Sequence, residues 1–369
     1  MAMTHGGNLL AIAKQMNSDV SEWLDLSTGV SPFTYPMTEM PEQCWNRLPE
    51  QYDGLEQAAK HYYAASIEPL VVAGSQAAIM ALPACITKQL GYCGVIAIPR
   101  VGYKEHQHAW QSFHYFDQAW QIEFYDDYPS EQQIERSDVV LMINPNNPTG
   151  VLHSQQQMQQ LAETMQSKNG FVIVDEAFGD SVENGSLLPV TSSFDHCVVL
   201  RSVGKFFGLA GARVGFLFAG DKLLEIVQEY LGPWTVTGPS RWVVRQALQD
   251  TSWQVQNRIR LNEQMKKLRK LLELYPLADH FSINPSSAGN RAPVDRSSSR
   301  VKFSGTDLFT TVYLDHAETC HRLLCEQKIL TRLCDEKNAI RFGLPANPQQ
   351  WQQLEKGLQQ VVNKRKESA

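Results

Sequence analysis

From about residue 69 onward, short and continuously apolar runs alternate with amphipathic stretches. The runs 70–73, 94–98, 139–143, 170–174, 198–203 and 213–218 are dense in Val, Ile and Leu. A run without polar alternation marks a strand covered on both faces, as in a parallel sheet. Between them helical periodicity predicts helices through residue 90, from Tyr103 onward, over 155–167 and over 221–231. After the turn residues Gly232-Pro233 and Gly238-Pro239, one long amphipathic helix is predicted over about 240–274. Beyond it, 308–314, 329–333 and 339–345 read as strands and 316–327 and 347–364 as helices. The pattern predicts an α/β class chain: a large domain with a mostly parallel sheet between helices, then a smaller α+β domain. The expected boundaries are an N-terminal arm with part of the small domain over 1–45, the large domain over 46–240, a linking helix over 241–275 and the small C-terminal domain over 276–369. The Ser-, Arg- and Gly-rich stretch 286–304 reads as an exposed loop.

Composition narrows the function without naming it. At 369 residues the chain has room for a large core. Its 33 basic and 39 acidic residues form no long blocks, which argues against a nucleic-acid or anionic-membrane partner. No apolar run has bilayer length, and the first residues lack a charged and then apolar leader. The seven cysteines are scattered, with no Cys-x-x-Cys pair, so reduced thiols and a cytoplasmic location are expected. The ten histidines show no metal-ligand spacing, and His106, His108, His316 and His321 read as solvated helix residues. No Gly-x-Gly-x-x-Gly follows a strand, which weakens a dinucleotide-binding reading.

The candidate chemistry centres on Ser202-Val203-Gly204-Lys205-Phe206-Phe207-Gly208-Leu209-Ala210-Gly211-Ala212-Arg213-Val214-Gly215. Lys205 is either a snorkelling strand-end lysine or a desolvated, reactive amine, since burial disfavours its charged form. Ser202 and Arg213 flank it, a hydroxyl and a fixed cation suited to a phosphate. Upstream, Gly74-Ser75-Gln76 opens a helix after a strand, either a plain cap by Ser75 or an anion cup. Asn144-Pro145-Asn146-Asn147-Pro148-Thr149-Gly150 is turn chemistry at the carboxyl end of a strand, where α/β sheets place ligands. Asp175 ends the next strand, placed to hold a positive partner. Arg341 lies among apolar neighbours, where an unpaired charge is costly and a buried ion pair is the plain reading. The arm carries His5-Gly6-Gly7-Asn8.

Taken together, these segments resemble the fold-type I pyridoxal-phosphate enzymes of the class I/II aminotransferase superfamily, in family order from residue 5 to residue 341. The resemblance implies pyridoxal 5'-phosphate held as a Schiff base on Lys205, with Asp175 at the pyridine nitrogen and Asn147 at the phenolic oxygen. It implies Tyr103 stacked on the ring and Gly74, Ser75, Gln76, Ser202 and Arg213 around the cofactor. It also implies Arg341 on the substrate carboxylate, no metal, and a homodimer with sites at the subunit interface. Two family tyrosines are missing, replaced by Leu48 and Phe178; Tyr52 is a candidate substitute for the first. The arm, Asp25-Leu26-Ser27-Thr28-Gly29 and Asp175-Glu176-Ala177-Phe178 are similar to the threonine-phosphate decarboxylase branch. That branch implies a lyase in cobalamin biosynthesis acting on a small phosphorylated amino acid, with His5, Asn8 or Arg47 meeting the substrate phosphate. An aminotransferase resembling histidinol-phosphate aminotransferase is the alternative, and a cofactor-binding sensor without turnover is a third reading.

Overall fold

Seven strands build the central sheet of the larger of two units in this computed structural model, which describes residues 6–37, 39–281 and 303–367. The larger unit comprises Thr34–Asn147 and Val151–Gln256. Its strands are β1 (Leu70–Val72), β2 (Val95–Pro99), β3 (Gln121–Tyr125), β4 (Val139–Ile143), β5 (Phe171–Asp175), β6 (Cys197–Ser202) and β7 (Gly215–Phe218). Their spatial order is β1-β7-β6-β5-β4-β2-β3. Pairs among β2 to β6 are parallel, and β7 is antiparallel to both its neighbours. Every residue of β4, β5 and β6 is buried, the polar Asp175, Arg201 and Ser202 at the carboxyl ends included, as expected of apolar runs covered on both faces. Each fully buried Val or Ile side chain contributes ~1.5–3 kcal/mol, which fixes the register of these strands firmly. Strand β3 was not evident among the apolar runs because Gln121 and Glu123 interrupt it at an edge of the sheet.

Helices α1 (Leu55–Tyr62), α2 (Ser75–Leu90), α3 (Lys104–Ser112), α4 (Gln155–Ser167) and α5 (Asp221–Leu231) belong to this unit. Helix α4 begins with a reciprocal cap, in which Gln157 N donates to Ser154 Oγ and Ser154 N donates to Gln157 Oε1. The single helix expected over 240–274 is instead two, α6 (Gly238–Gln249) and α7 (Thr251–Leu274). Asp250 breaks it: its backbone leaves the helical region, and its carboxylate accepts the N–H of Trp253 at 2.9 Å. An aspartate that caps a new first turn outcompetes continuation of the old one.

The smaller unit comprises Met1–Phe33, Pro148–Gly150 and Asn257–Ala369. Its four-stranded antiparallel sheet runs Ser304–Gly305, Thr310–Tyr313, Ala339–Phe342, Arg332–Leu333 in spatial order. The strand expected over 329–333 divides at Thr331. Ile329–Leu330 pairs in parallel with Leu24–Asp25, while Arg332–Leu333 pairs with Ile340 and Arg341. Thr331 is buried at the switch and its hydroxyl lies 3.0 Å from His321 Nδ1. Helices Ala317–Glu326 and Pro348–Glu367 complete the unit. Of the stretch 286–304, only Phe303 and Ser304 are among the described residues, and Ser304 starts a strand. No described helix is long and apolar enough to cross a membrane.

Candidate active site

The carboxyl ends of β4, β5 and β6 lie side by side, with Asp175 opposite Ile143 on one side and Leu200 on the other. The Asp175 carboxylate is only 3% exposed. A buried carboxylate is costly unless donors meet it. Here Ala177 N donates to Oδ1 at 3.0 Å and His106 Nε2 bonds Oδ2 at 2.9 Å. His106 therefore corrects the reading of a solvated histidine: it is 2% exposed, on the face of α3 that buries Glu105, Ala109 and Trp110. Of the other three, only His108 is exposed; His316 and His321 are half-buried. The sequence signal for His106 was its place three residues after Tyr103, one helical turn along.

A cluster of small and cationic groups forms at the amino end of α2. The residue in cap position is Gly74, with φ +74°, and Ser75 is the first helical residue, which corrects the reading of Ser75 as the cap. A β-carbon at Gly74 would stand 2.8 Å from Arg213 Nη2. One at Gly215 would stand 2.4 Å from Ser75 N. Gly215 in turn lies opposite Ser202 in the β7–β6 register. Gly74, Ser75, Ser202 and Arg213 thus meet in one place, where the amino terminus of α2 stands beside a guanidinium. Arg213 holds a left-handed backbone, φ +53°, a conformation that costs a non-glycine residue roughly 1–2 kcal/mol. Tyr103 and Gln76 are also joined: the phenol donates to Gln76 Oε1 at 2.9 Å, and Gln76 Nε2 donates to Glu105 at 2.8 Å. Lys205 stands three residues past the end of β6, half-buried, its Nζ 5.4 Å from the centre of the buried Phe178 ring. The turn that carries Asn147 is pinned by Asn146 Nδ2 to Val101 O at 3.0 Å and by His153 N to Asn144 Oδ1 at 2.8 Å.

In the smaller unit Arg341 is buried in its strand, and its Nη2 donates to the carbonyl of Ser27 at 2.7 Å. Burial pulls its guanidinium down to about 10. Asn8 is exposed before the helix Leu9–Gln15 and makes no capping bond. His5 lies outside the described residues. Arg47 is exposed and paired with Glu50, and Leu48 and Tyr52 are exposed as well.

The Aminotransferase class I and II family matches residues 42–290. The chain belongs to that family. It is 37% identical over 357 residues to a threonine-phosphate decarboxylase of Pseudomonas aeruginosa, covering 96% of this chain and 97% of that one. Its fold is that of a solved L-threonine-O-3-phosphate decarboxylase from Porphyromonas gingivalis, with TM-score 0.68, 17% identity, and coverage of 92% and 99%. A histidinol-phosphate aminotransferase from Sinorhizobium meliloti, solved in complex with pyridoxal-5'-phosphate, has TM-score 0.71 at 13% identity, covering 99% of this chain and 96% of that one.

Membership makes this a pyridoxal-phosphate-dependent enzyme, and the donor set fits the cofactor. A phosphate dianion suits the α2 amino terminus beside Arg213, and a protonated ring nitrogen suits the buried, doubly bonded Asp175. One supporting group belongs to no sequence motif: Arg201 on β6. Its Nη1 lies 3.2 Å from the Glu176 carboxylate and donates to the Glu176 carbonyl at 3.2 Å, while Cζ stands 4.2 Å over the Tyr63 ring. Burial pushes the Glu176 carboxyl up, against the pull of Arg201, and Ser186 and Leu187 N donate to its oxygens. This knot ties the end of β5 to that of β6, one residue from Asp175 and from Ser202. A lone arginine inside an apolar strand was its only signal.

Proposed function

We propose that the chain decarboxylates L-threonine O-3-phosphate to aminopropanol phosphate for cobalamin biosynthesis, as a cytoplasmic homodimer. The observation that carries this reading is the likeness to a threonine-phosphate decarboxylase over 96% of this chain and 97% of that one. Lys205 is the amine that binds the cofactor covalently and, once released, returns a proton to Cα. When bound, pyridoxal phosphate supplies a carbonyl for the substrate amine and a conjugated ring that accepts the electron pair left at Cα. Asp175 holds a negative charge against the ring nitrogen, and His106 keeps that carboxylate bonded and fixed in direction. Gly74, Ser75, Ser202 and Arg213 would hold the cofactor phosphate; Tyr103, oriented by Gln76, would hold the ring, and Asn147 the phenolic oxygen. Phe178 supplies no hydroxyl there, so the oxygen has fewer donors than in relatives with tyrosine. Arg341 takes the α-carboxylate, and Asn8, with His5, takes the substrate phosphate.

The second reading, transamination, uses the same residues. It would differ in how the substrate carboxylate is clamped, and so in whether carbon dioxide or a proton leaves Cα. The phosphate requirement is tested by competition. With L-threonine O-3-phosphate as substrate, O-phosphoserine is expected to inhibit carbon dioxide release at concentrations where plain threonine does not. Equal inhibition by both contradicts a site built for a phosphorylated amino acid.

A further inference from the structure

Three groups converge on the backbone at Ser27. The Arg341 guanidinium donates to its carbonyl oxygen at 2.7 Å. Gly6 lies against that same oxygen, close enough that a β-carbon there would stand 2.4 Å from it. Gly7 N donates to Ser27 Oγ at 2.7 Å, and Ser27 Oγ and N both donate to Asp25 Oδ1, at 2.6 and 2.8 Å. Ser27 is 2% exposed. From the other side Gly343 donates to the Leu26 carbonyl at 2.7 Å, and a β-carbon on it would stand 2.5 Å from Thr28 O. The 26–28 backbone is thereby wedged between the arm and the strand of Arg341, and its central carbonyl is the acceptor that aims the guanidinium.

We propose that the N-terminal arm, by packing Gly6 and Gly7 on Ser27, sets the direction of Arg341 and so selects decarboxylation over transamination. Gly6 and Ser27 are then positioning residues for reaction specificity. The inference rests on the reading of Arg341 as partner of the substrate carboxylate. A carbonyl that shifts by a few tenths of an ångström carries the guanidinium with it, because the hydrogen bond to a charged donor is short and directional. The clamped carboxylate would turn accordingly, and its orientation would decide whether it is lost as carbon dioxide or retained. Glycine at position 6 is required because any side chain would displace that carbonyl.

The test uses the holoenzyme and two ligands that cannot react. One is 3-phosphonooxybutanoate, which keeps the carboxylate and phosphate but lacks the amine; the other is isopropyl phosphate, which lacks both amine and carboxylate. In Gly6→Ala, calorimetric affinity for the acid is expected to fall about tenfold, and affinity for isopropyl phosphate to stay within about twofold. With L-threonine O-3-phosphate, the ratio of keto acid to carbon dioxide is expected to rise about tenfold. Ser27→Ala keeps the carbonyl but frees Gly7 N, and moves the same quantities in the same direction by about threefold; it decides the matter should Gly6→Ala fail to fold. A folded Gly6→Ala with unchanged acid affinity and unchanged product ratio overturns the proposal. Arg341→Lys separates the two levels. Loss of acid affinity there without any in Gly6→Ala refutes the arm's role alone, whereas no loss in Arg341→Lys refutes the carboxylate assignment and the proposal together.

Discussion

At Asp175, two hydrogen-bond donors meet a carboxylate whose burial would be costly without them. One is a backbone N–H two residues on and the other is His106 on α3. If the charge at Asp175 is what makes the cofactor ring an electron sink, Asp175→Asn keeps the shape and removes the function. Turnover is expected to fall roughly thousandfold, about 4 kcal/mol of barrier, with the visible absorbance of the bound cofactor shifted. Turnover within tenfold of wild type contradicts the role. The places of Lys205, Asp175 and Asn147 in the fold were legible because each follows or ends a strand pattern or sits in a dense turn. His106 and Arg201 were not, because their meaning lies in partners on other elements: His106 meets a strand 69 residues away, and Arg201 meets Glu176 across a strand pair. Periodicity places a residue on a face; it does not say what lies opposite.

Among the elements, α1 and α6 are joined by Arg241. Its guanidinium bonds both oxygens of Asp53 at 2.8 Å and both of Glu56 at 2.8 and 2.9 Å. Burial pushes the Asp53 carboxyl up, yet the Arg241 bonds and the Leu55 N–H outweigh it and leave it lowered. A carboxyl with a folded-state pKa below its unfolded value contributes stability above the unfolded value, and that contribution is lost as pH falls through the folded value. Asp53→Asn is therefore expected to lower Tm by a few degrees at pH 7 and to make no difference at low pH, where wild type has lost the same term. Melting curves that stay parallel across pH exclude the linkage. Most helices and buried strands followed from the apolar pattern. The break at Asp250 and the split at Thr331 did not, since one turns on a side-chain cap and the other on a change of strand partner.

Across the whole molecule, the chain divides into two units, and the residues assigned to the cofactor lie in the larger while Arg341 and the arm lie in the smaller. Order along the sequence revealed this arrangement of parts, because each motif follows the last in family order; the geometry within each part came from the structure. The central claim is that Lys205 acts in a decarboxylation. The measurement that tests it most directly is carbon dioxide release from L-threonine O-3-phosphate by the pyridoxal-phosphate-loaded protein, with Lys205→Ala beside it. Release by the native chain that vanishes in Lys205→Ala is the predicted result. No release, with a keto acid formed and the cofactor converted to its pyridoxamine form, would contradict it and make the chain an aminotransferase.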